Sequence, residues 1–232
     1  MRKNLFVIAL LILAVLPVFA DQKITISGST TVLPIAQATA ESFMDQHPDV
    51  NISVRGGGSS VGIAAIIAGT VDIGDASRHI KSKEITAARE NGINPYENVV
   101  ANDGIAIVIH KNNPINDLTI DQIKDIYTGK INNWKELGGP AMPIVIISRD
   151  VSSGTFEVFN TLVLNGAQEV DSALMLASNN AVVSTINGTP GAIGYAGLGY
   201  VNESVKAVKV NDVYPTKQSI QSKAYPIART LH

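Results

Sequence analysis

The sequence has no cysteine among its 232 residues, which excludes disulfides and a lipid-modified cysteine. Aromatic residues make up only 5% of it, so stacking platforms for bases or sugars are not expected. The charges nearly cancel, and a formal net charge of −2 argues against a broad surface for nucleic acid or an acidic membrane. Apolar residues reach 45%, enough for one large domain or two lobes to bury a core without disulfides.

The amino-terminal segment, MRKNLFVIALLILAVLPVFA, has the layout of a secretory signal peptide. Arg2 and Lys3 precede an apolar stretch over 5–16, and small residues end at Ala20. The apolar stretch is short for a membrane span. We therefore expect cleavage after Ala20 and a mature protein in the periplasm or on the outer face of the cell envelope. Retention of the segment as an anchor is the alternative.

The remaining sequence alternates between short apolar runs and amphipathic stretches, which is typical of an α/β fold with mostly parallel strands. Strands are predicted at 23–27, 50–54, 71–73, 104–110, 143–147 and 191–195, and helices at 31–46, 60–68, 81–90, 119–127, 154–164 and 180–186. One further strand and then irregular chain are expected in the tail, 205–232. The pattern fits two lobes joined by short hinge crossings, with a ligand in the cleft between them.

Three predicted strand-to-helix turns combine glycine with serine or threonine: TISGSTTVLP at 25–34, VRGGGSSVG at 54–62 and SRDVSSGT at 148–155. Glycine allows a ligand to approach the backbone, and the first N–H groups of a helix lack partners and carry partial positive charge. A single turn of this kind is most often only a helix cap. Three of them at the carboxyl ends of strands predict a shared anion site.

Arg149 precedes the hydroxyls of the third turn, and its guanidinium fork matches two oxygens of a phosphate-like anion. An ion pair with Asp150 is the competing interpretation. Arg55 holds a similar place in the second turn but is the weaker candidate. In a fourth polar segment, VDIGDASRHI at 71–80, Asp75 could accept a hydrogen bond from a protonated oxyanion or cap the next helix.

Other chemistries find little support in the sequence. The glycines at 56–62 resemble a dinucleotide loop only weakly, and no lysine follows them as in a nucleoside-triphosphate loop. Ser153 lacks the nucleophile-elbow pattern and an evident base. The histidines show no metal-ligand spacing, so neither a metal nor a cofactor is predicted; they are His47, His79, His110 and His232.

Read in order, five motifs resemble the phosphate-binding protein of phosphate ABC transporters: SGSTTVLP, GGGSSVGI, VDIGDASR, NDGIAIVIH and SRDVSSGTFEVF. The resemblance covers nearly the whole chain after the signal. It implies a two-lobed periplasmic-binding-protein fold of type II, with lobe 1 formed by 21–101 and 192–232 and lobe 2 by 102–191. It also implies a cleft that closes on dehydrated phosphate.

Carried over by motif, the resemblance implies these phosphate ligands: Ser29, Thr30, Thr31, Val32, Ser59, Ser60, Ser77, Arg149, Ser153, Gly154 and Thr155. In the best-known members an aspartate accepts the proton of phosphate, and Ser77 holds that position here. Asp75 and Asp103 are the nearby carboxylates that could replace it. The departure weakens the expected rejection of sulfate, which depends on such an acceptor.

The expected function is that of a monomeric, non-enzymatic receptor that captures inorganic phosphate and delivers it to a membrane ABC permease. A receptor for sulfate, molybdate, tungstate or a phosphonate is the nearest alternative. An exported hydrolase that uses Ser153, and an adhesion module that kept the fold, are more distant alternatives. No nucleic-acid partner is expected.

Overall fold

The computed structural model describes residues 22–232, so the predicted signal peptide at 1–20 lies outside the described residues. Within 22–232, every helix is too short or too polar to cross a membrane. The chain contains both helices and strands, as predicted, and the α/β class is confirmed.

Residues 22–98, referred to below as the first lobe, form a small parallel sheet with three helices. Its elements are β1 (Gln22–Gly28), α1 (Leu33–Gln46), β2 (Val50–Gly56), α2 (Ser59–Ile67), β3 (Ile73–Asp75) and α3 (Ser82–Glu90). The strand order is β2-β1-β3, and both pairings are parallel. Because the three strands are parallel, the turns after all of them open at the same edge of the sheet.

Residues 101–232, referred to below as the second lobe, are built on a mixed six-stranded sheet. Its strands are β4 (Ala101–His110), β5 (Asp117–Leu118), β6 (Val145–Arg149), β7 (Leu174–Leu176), β8 (Ala192–Gly197), β9 (Val205–Ala207), β10 (Lys209–Val210) and β11 (Ala228–Leu231). Its α-helices are α4 (Ile120–Tyr127), α5 (Gly154–Phe159), α6 (Asn179–Asn187) and α7 (Lys217–Gln221). The sheet order is β11-β4-β8-β6-β7, with β9 also on β4, while β5 and β10 form a separate pair.

The long strand β4 has both faces buried by apolar side chains. Its alternate residues Ile105, Ile107 and Ile109 enter one core cluster, which also contains the aromatic rings of Trp134 and Phe159. The intervening residues face a second cluster beneath α6. A strand buried on both faces reads as a continuous apolar run, and this explains the sequence GIAIVIH.

The carboxyl-terminal tail differs most from the sequence-based prediction. Instead of one strand and irregular chain, residues 205–232 form three strands and a short helix. The last strand, β11, pairs antiparallel with β4. Both β8 and β11 thus share a sheet with β4 and β6, although the prediction placed 192–232 in lobe 1. The boundary between the lobes stays a prediction.

Two helices differ from their predicted bounds by more than one residue. The first begins at Leu33 rather than residue 31, because Ser29 to Val32 form a turn in which Leu33 N–H donates to the Ser29 carbonyl. The predicted helix 154–164 is α-helical only to Phe159 and continues as a π-helical turn over Asn160–Leu164. It ends at Asn165, which adopts positive φ, as the Asn-Gly pair predicted.

Candidate functional site: a hydroxyl- and arginine-lined cleft

The first turn presents two threonine hydroxyls to the opposite lobe. Ser29 holds the turn in place, because its N–H donates to the Asp75 carbonyl at 2.8 Å and its hydroxyl accepts from Thr31 N–H at 3.1 Å. Thr31 Oγ1 then lies 3.1 Å from Thr155 Oγ1 across the cleft. Val32 is the residue that precedes α1, and no side chain caps this helix. Capping therefore does not account for these hydroxyls.

The second turn brings two buried serines together. Ser59 Oγ accepts from Ser77 N–H at 2.9 Å and lies 3.2 Å from Ser77 Oγ. The residue before α2 is Gly58, so Ser59 does not cap the helix either. Ser60 points to the rim instead, where it accepts from Arg78 at 3.2 Å and donates to Glu157 at 3.3 Å. The structure thus brings Ser59 and Ser77 into one cluster and holds Ser60 outside it.

Arg149 is almost completely buried, with 1% of its surface exposed. Its side chain donates to the carbonyls of Leu176, at 3.0 Å, and Ala177, at 3.1 Å, and to Thr30 Oγ1 at 3.2 Å. Nη1 is buried without a hydrogen-bond partner. Burial lowers the pKa of this guanidinium. No carboxylate between residues 22 and 232 forms an ion pair with Arg149. The alternative interpretation of this arginine, an ion pair with Asp150, is therefore not observed in the described part of the chain.

The third turn combines a cap with a close approach between the lobes. Ser153 Oγ accepts from Phe156 N–H at 3.3 Å, so this serine does cap α5. Gly154 packs against the two buried serines of the first lobe: a Cβ placed there would lie 2.8 Å from Ser77 Oγ and closer still to Ser59. Glycine is required at position 154 because any side chain would separate the lobes.

Two residues that the sequence analysis did not select complete the cluster. Arg229 of β11 donates to Thr155 Oγ1 at 2.9 Å and to Thr31 Oγ1 at 3.3 Å. Asn179, at the start of α6, donates to Thr31 Oγ1 at 3.0 Å and to Thr30 Oγ1 at 3.3 Å. A single charged residue in the mostly apolar segment IARTL was the one local signal for Arg229.

The two candidate carboxylates have different surroundings. Asp103 pairs with Arg229 through contacts of 2.8 and 3.0 Å and also accepts from Leu198 N–H. Asp75 instead lines a separate cavity of about 720 Å³ in the first lobe, where burial raises its pKa to about 6. Only Asp103 is therefore part of the hydroxyl cluster, and there its charge is already matched by Arg229.

The rim of the cleft is joined by backbone and ionic contacts. Ser152 Oγ donates to the Gly57 carbonyl at 3.1 Å, and Ser60 N–H donates to the Ser152 carbonyl at 3.0 Å. Arg78 Nε lies 2.8 Å from Glu157 Oε1, and Lys81 also pairs with Glu157. These contacts connect residues 57–81 of the first lobe with 152–157 of the second and hold the cleft closed.

The cluster has the chemistry of an anion site. Hydroxyl groups from both lobes meet two buried guanidinium groups, and the single carboxylate Asp103 leaves one net positive charge. Convergent donors around a buried positive charge favour an oxyanion over a cation or a neutral ligand. The closed, two-lobed α/β arrangement with such a cleft defines the class of bilobal solute-binding proteins.

Comparison with known proteins agrees with this class. The profile of the PBP superfamily domain matches residues 19–232. Phosphate-binding protein PstS of Bacillus subtilis is 36% identical over 214 residues, which cover 92% of this chain and 70% of that protein. PstS of Staphylococcus epidermidis RP62A is 35% identical, with 88% and 66% covered. The chain belongs to the PBP superfamily and to the family that these PstS proteins represent.

Solved structures give the same result. A phosphate ABC transporter substrate-binding protein from Clostridium perfringens, solved with bound phosphate, is 42% identical and superposes with a TM-score of 0.85. The match covers 90% of this chain and 84% of that one. An ABC-type phosphate transport receptor from Vibrio cholerae is 33% identical, with a TM-score of 0.69 and the same coverage. The predicted family resemblance and bilobal fold are confirmed.

Proposed function

We propose that this protein is an extracytoplasmic, non-enzymatic receptor that binds inorganic phosphate between its lobes and delivers it to an ABC transporter permease. The proposal rests on Nη1 of Arg149, which is buried and has no hydrogen-bond partner. The same guanidinium group contacts the cluster of hydroxyl groups that both lobes contribute. The names of the relatives, phosphate-binding PstS proteins and phosphate transport receptors, support the same ligand.

A phosphate ion would exchange the present contacts of the cluster for contacts to itself. Thr31 and Thr155 now bond to each other, and Thr30 bonds to Arg149. All four side chains can donate to a phosphate oxygen, and charge-assisted bonds of this kind are about twice as strong as neutral ones. The favourable bonds must offset the cost of removing a doubly charged anion from water.

A receptor for another tetrahedral oxyanion is the second candidate, and one observation favours it. Ser77, at the position of the family's usual aspartate, is fully buried and bonded to Ser59. Asp103 is engaged by Arg229. A serine hydroxyl can accept the phosphate proton, but it can equally donate to sulfate, so it discriminates less than a carboxylate does.

A hydrolase that uses Ser153 has less support. The Ser153 hydroxyl is used as a helix cap, and Glu157, the acidic residue of the same helix, is paired with Arg78 and Lys81 at the rim. In the family represented by the PstS relatives the proteins are transport receptors. We therefore propose binding and release without turnover, by a monomer in the periplasm or on the outer face of the envelope.

Calorimetric titration of Arg149 variants tests the proposal. Arg149→Ala should weaken phosphate binding about 100-fold or more, because it removes a buried charge and its fork of donors. Arg149→Lys keeps the charge without the fork and should give an intermediate loss. Arg55→Ala is the matched control, since Arg55 occupies the equivalent turn of the first lobe but is exposed. Unchanged affinity in a folded Arg149→Ala protein would contradict the assigned site.

Titration with sulfate as the pH is varied separates the two anions. Phosphate changes its protonation near neutrality, whereas sulfate does not. A phosphate receptor should bind phosphate at least ten times more tightly than sulfate at both pH 6 and pH 8. Equal or tighter binding of sulfate would replace phosphate by sulfate in the proposal and leave the cleft as the site.

A further inference from the structure

A second group of polar side chains lies where the end of β11 meets the first lobe, away from the hydroxyl cluster. His79 follows β3, Glu97 lies in the segment after α3, and His232 follows β11. His79 Nδ1 is 3.2 Å from one oxygen of Glu97, and His232 Nδ1 is 3.5 Å from the other. The three candidate ligand atoms lie within 4.8 Å of one another.

His232 has the features of a pre-oriented ligand. Its side chain is only 5% exposed, and Nδ1 is buried without a hydrogen-bond partner. The other ring nitrogen, Nε2, lies 2.8 Å from Thr230 Oγ1. A bond from Nε2–H to this hydroxyl leaves the lone pair on Nδ1, as in histidines that bind metals.

Glu97 is held between the two histidines by a backbone bond. Its Oε1 accepts from Ile80 N–H at 3.0 Å, while Oε2 faces His79. The carboxylate is therefore oriented by the chain.

We propose that His79, Glu97 and His232 bind one divalent transition-metal ion of the zinc class. The two imidazole nitrogens lie 3.2 and 3.5 Å from different oxygens of Glu97, and one ligand atom from each residue lies within 4.8 Å of the others. Ligand atoms at 2.0–2.1 Å from a tetrahedral zinc ion stand about 3.3 Å apart, so small side-chain movements would bring all three onto one ion. Two imidazoles with one carboxylate suit zinc, cobalt or nickel better than magnesium or calcium. His79, with 71% of its side chain exposed, leaves the fourth position open to solvent.

Such an ion would fasten the carboxyl-terminal strand to the first lobe. His232 already exchanges two backbone hydrogen bonds of 2.8 Å with Ala76. The metal would add a second connection, from the His232 side chain to Glu97 and His79. Bound metal should therefore raise the melting temperature. The proposal does not depend on phosphate binding, because none of the three residues contacts the hydroxyl cluster.

Zinc titration of the untagged protein in phosphate-free buffer tests the site. We expect one zinc ion per chain with a Kd of about 10 µM or lower, and a rise in Tm of about 5 °C at saturating zinc. His79→Ala should weaken zinc binding at least tenfold, and folding should be preserved because this side chain is exposed. His47→Ala is the matched control, since His47 is an exposed histidine of the same lobe outside the group.

Cobalt gives a readout of geometry that simple surface adsorption would not produce. Bound cobalt(II) should show the intense visible absorption of tetrahedral coordination, and Glu97→Gln should reduce it. The proposal is overturned if zinc does not bind, if His79→Ala binds zinc as the wild type does, or if magnesium competes equally. In those cases the three side chains form only a hydrogen-bonded His-Glu-His group.

Discussion

The first lobe lines the cleft with neutral hydroxyls, whereas both guanidinium groups of the cluster come from the second lobe. Thr31 and Ser59 stand at the starts of helices on a three-stranded sheet. Arg149 and Arg229 lie on strands of the six-stranded sheet. A buried charge needs fixed partners, and the larger sheet supplies carbonyls to Arg149 and a carboxylate to Arg229.

The hydrophobic cores of the two lobes also differ, and the second lobe has the larger one. The second lobe packs β4 between two apolar clusters that include Tyr127, Trp134 and Phe159. The first lobe has few large buried side chains, and its cavity of about 720 Å³ contains the buried carboxyl of Asp75. The second lobe, which has the larger core, thus carries the charged groups of the site. The first lobe contributes small polar side chains that face them.

Removal of Arg229 should have the largest effect, because it takes away one of the two guanidinium groups that the second lobe contributes. Arg229→Ala leaves Asp103 buried and unpaired, which should cost about 3–5 kcal/mol of stability, and should weaken phosphate binding at least tenfold. Urea unfolding and calorimetry measure the two effects. Adding Asp103→Asn should restore most of the stability but not the affinity. Full affinity in the folded double variant would exclude Arg229 from the site.

Gly154→Ala tests how closely the lobes must approach. The added methyl group would meet Ser59 and Ser77, so closure should be blocked and phosphate affinity should fall about 10- to 100-fold. Stability should change little, because the new contact exists only when the lobes are closed. Gly188→Ala is the control, since its nearest neighbours would lie 3.8 Å away. Equal affinities of the two variants would show that the lobes need not meet at Gly154.

Asp75→Asn tests how the buried carboxyl of the first lobe changes the stability of the protein as the pH rises. Burial raises the folded pKa of Asp75 from 3.8 to about 6, so its stabilising contribution is complete below pH 4 and is lost as the pH rises through 6. The asparagine variant should match the wild type near pH 4 and exceed it by about 1–2 kcal/mol at pH 8. Unfolding curves at both pH values measure the difference, and a constant difference would contradict the assignment.

Ser152→Ala should have the smallest effect. It removes the hydroxyl's contact to the Asp150 carboxylate in the same turn, and the one bond it removes across the rim is the neutral bond to the Gly57 carbonyl. A net loss of about 1 kcal/mol corresponds to phosphate binding about fivefold weaker, mainly through faster release. Stopped-flow measurement of phosphate release checks this expectation. Ser222→Ala, with its hydroxyl bonded only within the tail, is the control. An unchanged release rate would mean that the rim bond does not contribute to closure.

The local parts of the site were predictable from the sequence. Glycines beside hydroxyls marked the turns, and Arg149 followed an apolar run that became a strand. The helix predicted at 119–127 forms as α4, with Thr119 as its cap. Asn179 gave no comparable signal, because an asparagine before a helix is ordinarily a cap, and its contact to Thr31 spans the whole cleft.

The sequence by itself determined the α/β class, the helix starts with their hydroxyls and the buried character of β4, because these depend on periodicity and on residues a few positions apart. The tertiary structure decided which cation and which carboxylate enter the cleft. It paired Arg229 with Asp103 and brought His79 beside His232. Such partners are distant in sequence, and only the packing of β11 against β4 and the first lobe sets their distance.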